Sequence, residues 1–358
     1  MEIFIFDMDG VLLRPHGYHR ALQNTVRQVG KKKGFGELTL TDEDIARFEA
    51  LGIANEWHSA ALCLSVLTLR SQQQKKIDGI PLEPLFETLA AQSFSVTPRK
   101  RGEVAVSHLA QKAGIPDSAA LAWIEESEQI DKSPTMQVFQ TMILGDVLYE
   151  QRYQRPATEK TDSYLKLFDQ PLLSAENVAR LLTWSQEPSN GSAIMTNRPS
   201  LGPDNFSGDP DGSFGKELVG VVPVPLIGFG EASWLADRAG RPWADVIKPN
   251  PEHALAAIFA ASGWEVEESL DFTAHLPQTW DPAALEHLHG AQITVFEDTP
   301  AGMISVQAAG ELLNQFELDV SVRKMGIASD PAKVRALEAL GAEIYPDVNQ
   351  ALASLDHA

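Results

Sequence analysis

The sequence predicts an α/β protein: a parallel sheet with helices on both faces, interrupted by an all-helical segment. Three observations lead there. A four-residue apolar run, Ile3-Phe4-Ile5-Phe6, has the look of a strand buried on both faces. Helical periodicity then holds from Tyr18 to about Pro171. From Leu172 onward, short apolar runs alternate with helical stretches, the pattern of parallel strands joined by crossover helices.

Taken in order, the first run ends at Asp7, and Asp9-Gly10 supplies a turn. Thr41-Asp42-Glu43-Asp44 starts a helix, with a capping hydroxyl and acids in the first turn. Residues 54–74 read as one long helix, with Trp57, Ala61, Leu64 and Leu67 along a stripe. Pro81, Pro116 and Pro134 each precede a further helical stretch. No strand is expected between about 20 and 185. Leu172, Leu173, Val178, Leu181 and Leu182 give the next helix its apolar face, and Ser192–Met195 follows as a strand. Residues 201–216, rich in Gly, Asp, Pro and Ser, are expected to form a loop. The stretch Val219–Ile227 reads as extended chain at a sheet edge, because it holds Pro223 and Pro225. Helices follow at 231–240 and 251–262, then an excursion at 263–290 and a strand at 293–296. A strand at 320–328, a helix after Pro331, a strand at 342–345 and a helix from Asp347 complete the alternation. The expected division is a sheet domain of 1–14 with 175–358, and a helical domain of 15–174 inserted between the first two strands of the sheet.

Composition bounds the partners. The 358 residues suit one large domain or two ordinary ones. Asp plus Glu outnumber Lys plus Arg by 49 to 29, a net charge of -20 that repels phosphate backbones, so no nucleic-acid partner is expected. A small anion can still be captured locally by a metal or a helix N-terminus. No run of about 18 apolar residues points to a membrane. Cys63 is the single cysteine and reads as a buried thiol, and the N-terminal stretch lacks the basic region of a signal peptide, so a cytoplasmic protein is expected. The triplets Asn190-Gly191-Ser192 and Asn205-Phe206-Ser207 are then coincidental glycosylation matches. Lys31-Lys32-Lys33 reads as a solvated loop, and His253, His287 and His289 as structural or solvated. Gly228-Phe229-Gly230 lacks the third glycine of a dinucleotide fingerprint.

Open parallel sheets place their sites at the carboxyl ends of strands. Asp7 and Asp9 follow the first strand, Thr196-Asn197 the second, and Glu297-Asp298 the strand at 293–296. Lys248 precedes the helix near 251. Carboxylates gathered at one crevice repel unless a cation compensates, and an oxygen-only ligand set suits Mg2+. Lys248 can offset these charges and hold phosphate, and the Thr196 hydroxyl can bind the same oxygens. Two acids one residue apart can divide the work: Asp7 attacks phosphorus, and Asp9 protonates the leaving oxygen and later activates water. Arg198 is read either as a helper in phosphate binding or as a surface residue. Asn55 and Glu56 are read either as cap specificity residues or as a helix start, and Arg14, His16, Tyr18 and His19 either as facing substrate at the cap hinge or as ordinary linker and helix surface.

The segments Phe4-Ile5-Phe6-Asp7-Met8-Asp9-Gly10-Val11, Met195-Thr196-Asn197, Lys248-Pro249 and Val295-Phe296-Glu297-Asp298-Thr299-Pro300-Ala301-Gly302 resemble the four ordered motifs of the haloacid-dehalogenase-like superfamily. The resemblance covers the sheet domain from end to end. It implies a Rossmann-like hydrolase core, an aspartyl-phosphate intermediate and Mg2+. It assigns Asp7 as nucleophile, Asp9 as acid/base, Thr196 and Asn197 to phosphate, and Lys248 to the nucleophile and phosphate. It assigns the metal to Asp7, Asp298 and the backbone carbonyl of Asp9, with Glu297 a ligand or acting through water. The insert lies where such enzymes carry a helical cap. The implied activity is hydrolysis of a small phosphorylated metabolite. The alternatives are a phosphomutase passing the same intermediate to a sugar, and a catalytically silent binding protein.

Overall fold

The computed structural model describes residues 1–51, 53, 55–74, 79–92, 97–206, 208–276 and 283–355. Ala54 of the long helix, Ser207 of the second acceptor triplet and residues 277–282 of the 263–290 excursion lie outside the described residues. The chain divides into two compact units, Met1–Pro15 with Asp169–Ala358, and His16–Phe168.

The first unit opens with β1 (Glu2–Phe6) and β2 (Leu13–Arg14). The second unit is helical. It holds α1 (His16–Lys32), α2 (Asp42–Ala50), α3 (Glu56–Gln72), α4 (Glu83–Ala90), α5 (Pro98–Ala113), α6 (Ser118–Glu126), α7 (Pro134–Leu144), α8 (Asp146–Tyr153) and α9 (Tyr164–Phe168). Thr41 caps α2 through a reciprocal box with Asp44. Asn55 caps α3 by accepting from the N–H groups of Trp57 and His58. Helix α3 is buried almost all round, so it runs through the middle of this unit. Cys63 lies within it, its thiol pushed up by burial and so unreactive. Arg101 is fully buried, and its guanidinium donates to the carbonyls of Leu51 (2.6 Å) and Leu89 (3.1 Å), tying two chain turns together.

The chain then returns through β3 (Gln170–Pro171), α10 (Ala175–Trp184), β4 (Asn190–Met195), α11 (Asp211–Val219), β5 (Leu226–Ile227), α12 (Phe229–Arg238), α13 (Pro251–Ala261) and α14 (Val266–Ala274). It ends with β6 (Gln292–Glu297), α15 (Pro300–Gln315), β7 (Ser321–Ile327), α16 (Pro331–Glu338), β8 (Glu343–Tyr345) and α17 (Val348–Leu355). Among the described residues, six strands form one parallel sheet in the order β5-β4-β1-β6-β7-β8. Strand β1 lies at its centre, and its alternation builds both layers. Ile3 and Ile5 pack with Ala193, Val295 and the buried faces of α12 to α15. Phe4 and Phe6 pack on the other side with Leu181, Val219 and Val348. There the Phe4 ring stacks on Trp184 with centroids 3.9 Å apart, and Phe6 on Phe296 at 4.5 Å. Full burial of one such side chain stabilises by about 1.5–3 kcal/mol, so β1 anchors both layers.

Four expectations need correction. Residues 201–216 are not one loop, since α11 begins at Asp211. The buried face of this helix includes Gly212, Gly215 and Val219, at helical spacing, so glycines stand where an apolar stripe would have announced it. A strand does occur between 20 and 185: β3 pairs antiparallel with β2, two residues against two, too short to leave a pattern. The stretch 219–227 is not extended throughout: Val219 ends α11, a turn closes from Val221 to Val224, and only Leu226–Ile227 is strand, at the sheet edge. Leu172 and Leu173 precede α10, whose first turn is capped by Ser174. No helix among the described residues is long and apolar enough to cross a membrane.

Candidate active site

The register of the sheet assembles the site. Phe6 pairs with Ile194 on one side and Phe296 on the other, so β1, β4 and β6 end together. The Asp7 N–H donates to the Phe296 carbonyl (2.9 Å), and the Thr196 N–H to that of Ile227 (3.0 Å), which carries the sheet pairing to the edge of the site. Lys248 arrives from the turn before α13. Its Nζ lies 2.8 Å from Asp7 Oδ1 and 2.9 Å from Glu297 Oε1, with all three side chains buried. The Lys248 N–H donates to His253 Nδ1 (3.2 Å), while His253 Nε2 stands 2.9 Å from the Ile227 carbonyl. A carbonyl only accepts, so the ring proton sits on Nε2 and the imidazole is neutral. Burial and the Lys248 charge push the His253 pKa down to about 3.

Three carboxylates face one another. Asp7, Glu297 and Asp298 offer oxygens within 4.8 Å of each other. Glu297 is also tied to its own turn, accepting the Asp298 N–H (2.9 Å) and the Thr299 hydroxyl (3.2 Å). Asp298 is reached by the ammonium of Lys333, on α16. Burial and the charge of Asp7 push Glu297 up, and the same two causes raise Asp298, against the opposing pull of the lysines. Burial alone would lower Lys248, but Asp7 and Glu297 more than offset it, so this lysine holds its proton.

Gly10 has a φ of +81°, and a methyl group there would overlap the Asp298 carboxylate. Only glycine lets the chain turn this close to the acids. These residues fit a divalent cation: the donors are all oxygen, the carboxylates converge, and burial together with their neighbours' charge disfavours the ionised forms of Glu297 and Asp298, a cost that a cation would relieve.

Asp9 stands apart from this cluster. Its carboxylate is gripped by the guanidinium of Arg198, with Nε 3.2 Å from Oδ2 and Nη2 donating to Oδ1. The same Nη2 donates to Asp169 Oδ2 at 3.0 Å. The Thr196 hydroxyl is buried and accepts the Arg198 N–H (3.2 Å), whereas Asn197 is exposed. Beyond them, Ser200 donates to Glu231 and accepts the Gly230 N–H (2.8 Å), and Glu231 accepts that of Gly228 (2.9 Å). Gly228-Phe229-Gly230 is thus a locked helix start.

The structure therefore brings Asp7, Lys248, Glu297 and Asp298 into one cluster, with Asp9 and Thr196 on the neighbouring Arg198. The side chain of Asp9 is not among the clustered acids. Arg198 is buried, which removes the surface reading. Sequence reasoning missed Asp169, Lys333 and the bond from His253 to Lys248. Only the position of Arg198, two residues after Thr196, offered a signal.

No family model and no curated protein matches the chain. Among solved structures, an X-ray structure of a Northeast Structural Genomics Consortium target is similar at 18% identity, over 99% of this chain and 98% of its own, with a TM-score of 0.64. That is a likeness of fold. Phosphatase Tt82 from Thermococcus thioreducens (14% identity, 94% and 99% covered, TM-score 0.44) is more distant. So is a hydrolase from Pseudomonas syringae (12% identity, 100% and 99% covered, TM-score 0.36).

Proposed function

We propose that this protein is a Mg2+-dependent phosphomonoester hydrolase of the haloacid-dehalogenase-like superfamily, acting on a small phosphometabolite through an aspartyl-phosphate on Asp7. The observation that carries this reading is the buried Lys248 held between Asp7 and Glu297 at the carboxyl ends of adjacent parallel strands. A buried carboxylate facing a fixed lysine is an oxygen nucleophile whose charge is compensated as a phosphate dianion approaches.

Asp7 attacks phosphorus, forming its P–O bond as the ester P–O bond breaks. Asp9 gives its proton to the departing alkoxide, then takes one from the water that attacks the aspartyl-phosphate, releasing phosphate and restoring Asp7. Thr196, Asn197 and Lys248 hold the phosphoryl oxygens. Mg2+ bound by Asp7, Asp298 and the Asp9 carbonyl, with Glu297 beside it, would draw negative charge from the transferring group. The helical segment that interrupts the chain after β2 is assigned, from its place in the sequence, to substrate selection as a cap.

The test measures free phosphate released from a panel of phosphate esters. We expect turnover with Mg2+, background with EDTA, and background for Asp7→Asn, together with acid-stable labelling of the wild type and none of the variant. Equal release by wild type and Asp7→Asn would remove the reading.

A further inference from the structure

We propose that Arg198, fixed in place by Asp169, is the positioning residue that orients Asp9 for proton transfer; this rests on the acid–base role given to Asp9 above. Arg198 is built in more firmly than a substrate contact needs to be. Its side chain is 0% exposed, against 33% for Asp9 and 1% for Asp169. The guanidinium thus lies behind Asp9, and Asp9 keeps the open side. Two nitrogens of one rigid fork, Nε and Nη2, reach the two oxygens of one carboxylate. That contact sets the plane of the carboxylate as well as its distance, which a lysine cannot do.

The fork is itself held. The Arg198 backbone donates to Thr196 Oγ1 and accepts the Phe229 N–H at 3.0 Å. Nη2 is shared with Asp169. Asp169 directly precedes β3, and β3 pairs with β2 a few residues after Asp9. The Gly10 N–H donates to the Leu13 carbonyl at 2.7 Å, closing the turn between Asp9 and β2. Both acids therefore hang from one two-stranded ribbon, with the arginine bridging them. A misplaced acid–base group costs rate while leaving phosphate binding intact, so the signature lies in turnover.

The experiment compares wild type, Arg198→Lys and Asp169→Asn on phosphate esters whose leaving alcohols span a wide range of pKa. For Arg198→Lys we expect kcat to fall ~10²-fold or more on poor leaving groups and much less on nitrophenyl phosphate, with KM little changed. Asp169→Asn keeps an acceptor for Nη2 and should lose less, in the same pattern. In Arg198→Ala, added ethylguanidinium should restore part of the lost turnover on poor leaving groups. Should Arg198→Lys fail to fold, Asp169→Asn and the guanidinium rescue decide. An equal loss for all leaving groups, a rise in KM at constant kcat, or absence of rescue in folded protein would overturn the proposal. Wild type matching Asp7→Asn would instead overturn the phosphatase reading, so the two failures are distinct.

Discussion

Lys248 Nζ stands 2.8 Å from Asp7 Oδ1, although the two residues are 241 positions apart in the chain. The pair joins the turn before α13 to the end of the central strand, and it carries the second carboxylate, Glu297, at 2.9 Å. The charge balance of Asp7 and Glu297 therefore depends on one side chain, while Asp298 is answered by Lys333.

Replacing that side chain should damage both folding and turnover. Lys248→Met leaves Asp7 and Glu297 buried without their cation, which destabilises by about 3–5 kcal/mol for a pair of this kind. Urea unfolding should show that loss, and phosphate release should reach background. Adding Glu297→Gln should recover part of the stability and none of the activity. A Lys248→Met protein of wild-type stability would contradict the charge balance described here.

Removal and return of the metal gives a second expectation. A ligand that binds the folded state alone stabilises it by about 2.7 kcal/mol at a hundredfold excess over its Kd. Metal-free protein should melt at a higher temperature when millimolar Mg2+ is added. Asp298→Asn, which removes one of the three clustered carboxylates, should lose most of that rise. Equal shifts in both proteins would place the binding elsewhere.

The buried imidazole of His253 predicts a pH dependence. Its pKa is depressed to about 3 in the folded chain from 6.5, mainly by burial and then by the charge of Lys248. Below 6.5 the unfolded chain binds a proton that the folded chain refuses, so stability falls as pH falls. The contribution is whole above 6.5 and is lost progressively down towards 3, by about 1 kcal/mol over the first unit and at most ~1.4 kcal/mol per unit after that. Urea midpoints at pH 7.5 and 5.5 should differ more for wild type than for His253→Gln. Identical differences would show that the imidazole is not held neutral.

Gly302 lies in the first turn of α15, where an added methyl would overlap the Glu297 carboxylate. Gly302→Ala should push Glu297 off Lys248. The better helix propensity of alanine, up to about 1 kcal/mol, should hide much of the cost in stability. Turnover should fall by ~10²-fold, as expected when a site is shifted by about an ångström. Steady-state kinetics beside a melting curve would separate these effects, and unchanged kcat would show that Glu297 can move without consequence.

Much of this was readable beforehand, for identifiable reasons. Ile3-Phe4-Ile5-Phe6 is apolar at every position because both faces of β1 are covered. Asp7, Thr196 and Asp298 follow strands and Glu297 ends one, so locating the strands located them. Lys248 follows no strand and was legible through its motif. What stayed hidden was of another kind. Helix α11 faces its neighbours with glycines, which leave no hydrophobic period. The ties from Arg198 to Asp9 and Asp169, from Lys333 to Asp298 and from His253 to the Lys248 N–H join residues remote in sequence or through the backbone. No spacing along the chain announces such contacts, since they arise only when the sheet has set its register.

The central place of β1 also bears on how the molecule is made. Its partners on either side begin at Asn190 and Gln292, so during synthesis the strand waits for both. At ~5–20 residues per second the ribosome needs roughly 15–60 s to go from Phe6 to Glu297. For that interval an apolar segment with high strand propensity has an open edge and uncovered faces, the condition under which nascent chains associate. The helical unit, complete by Phe168, emerges whole while β1 is still waiting. The sheet therefore closes late and around its oldest strand, which makes the nascent chain a natural client for holding chaperones until β6 has emerged.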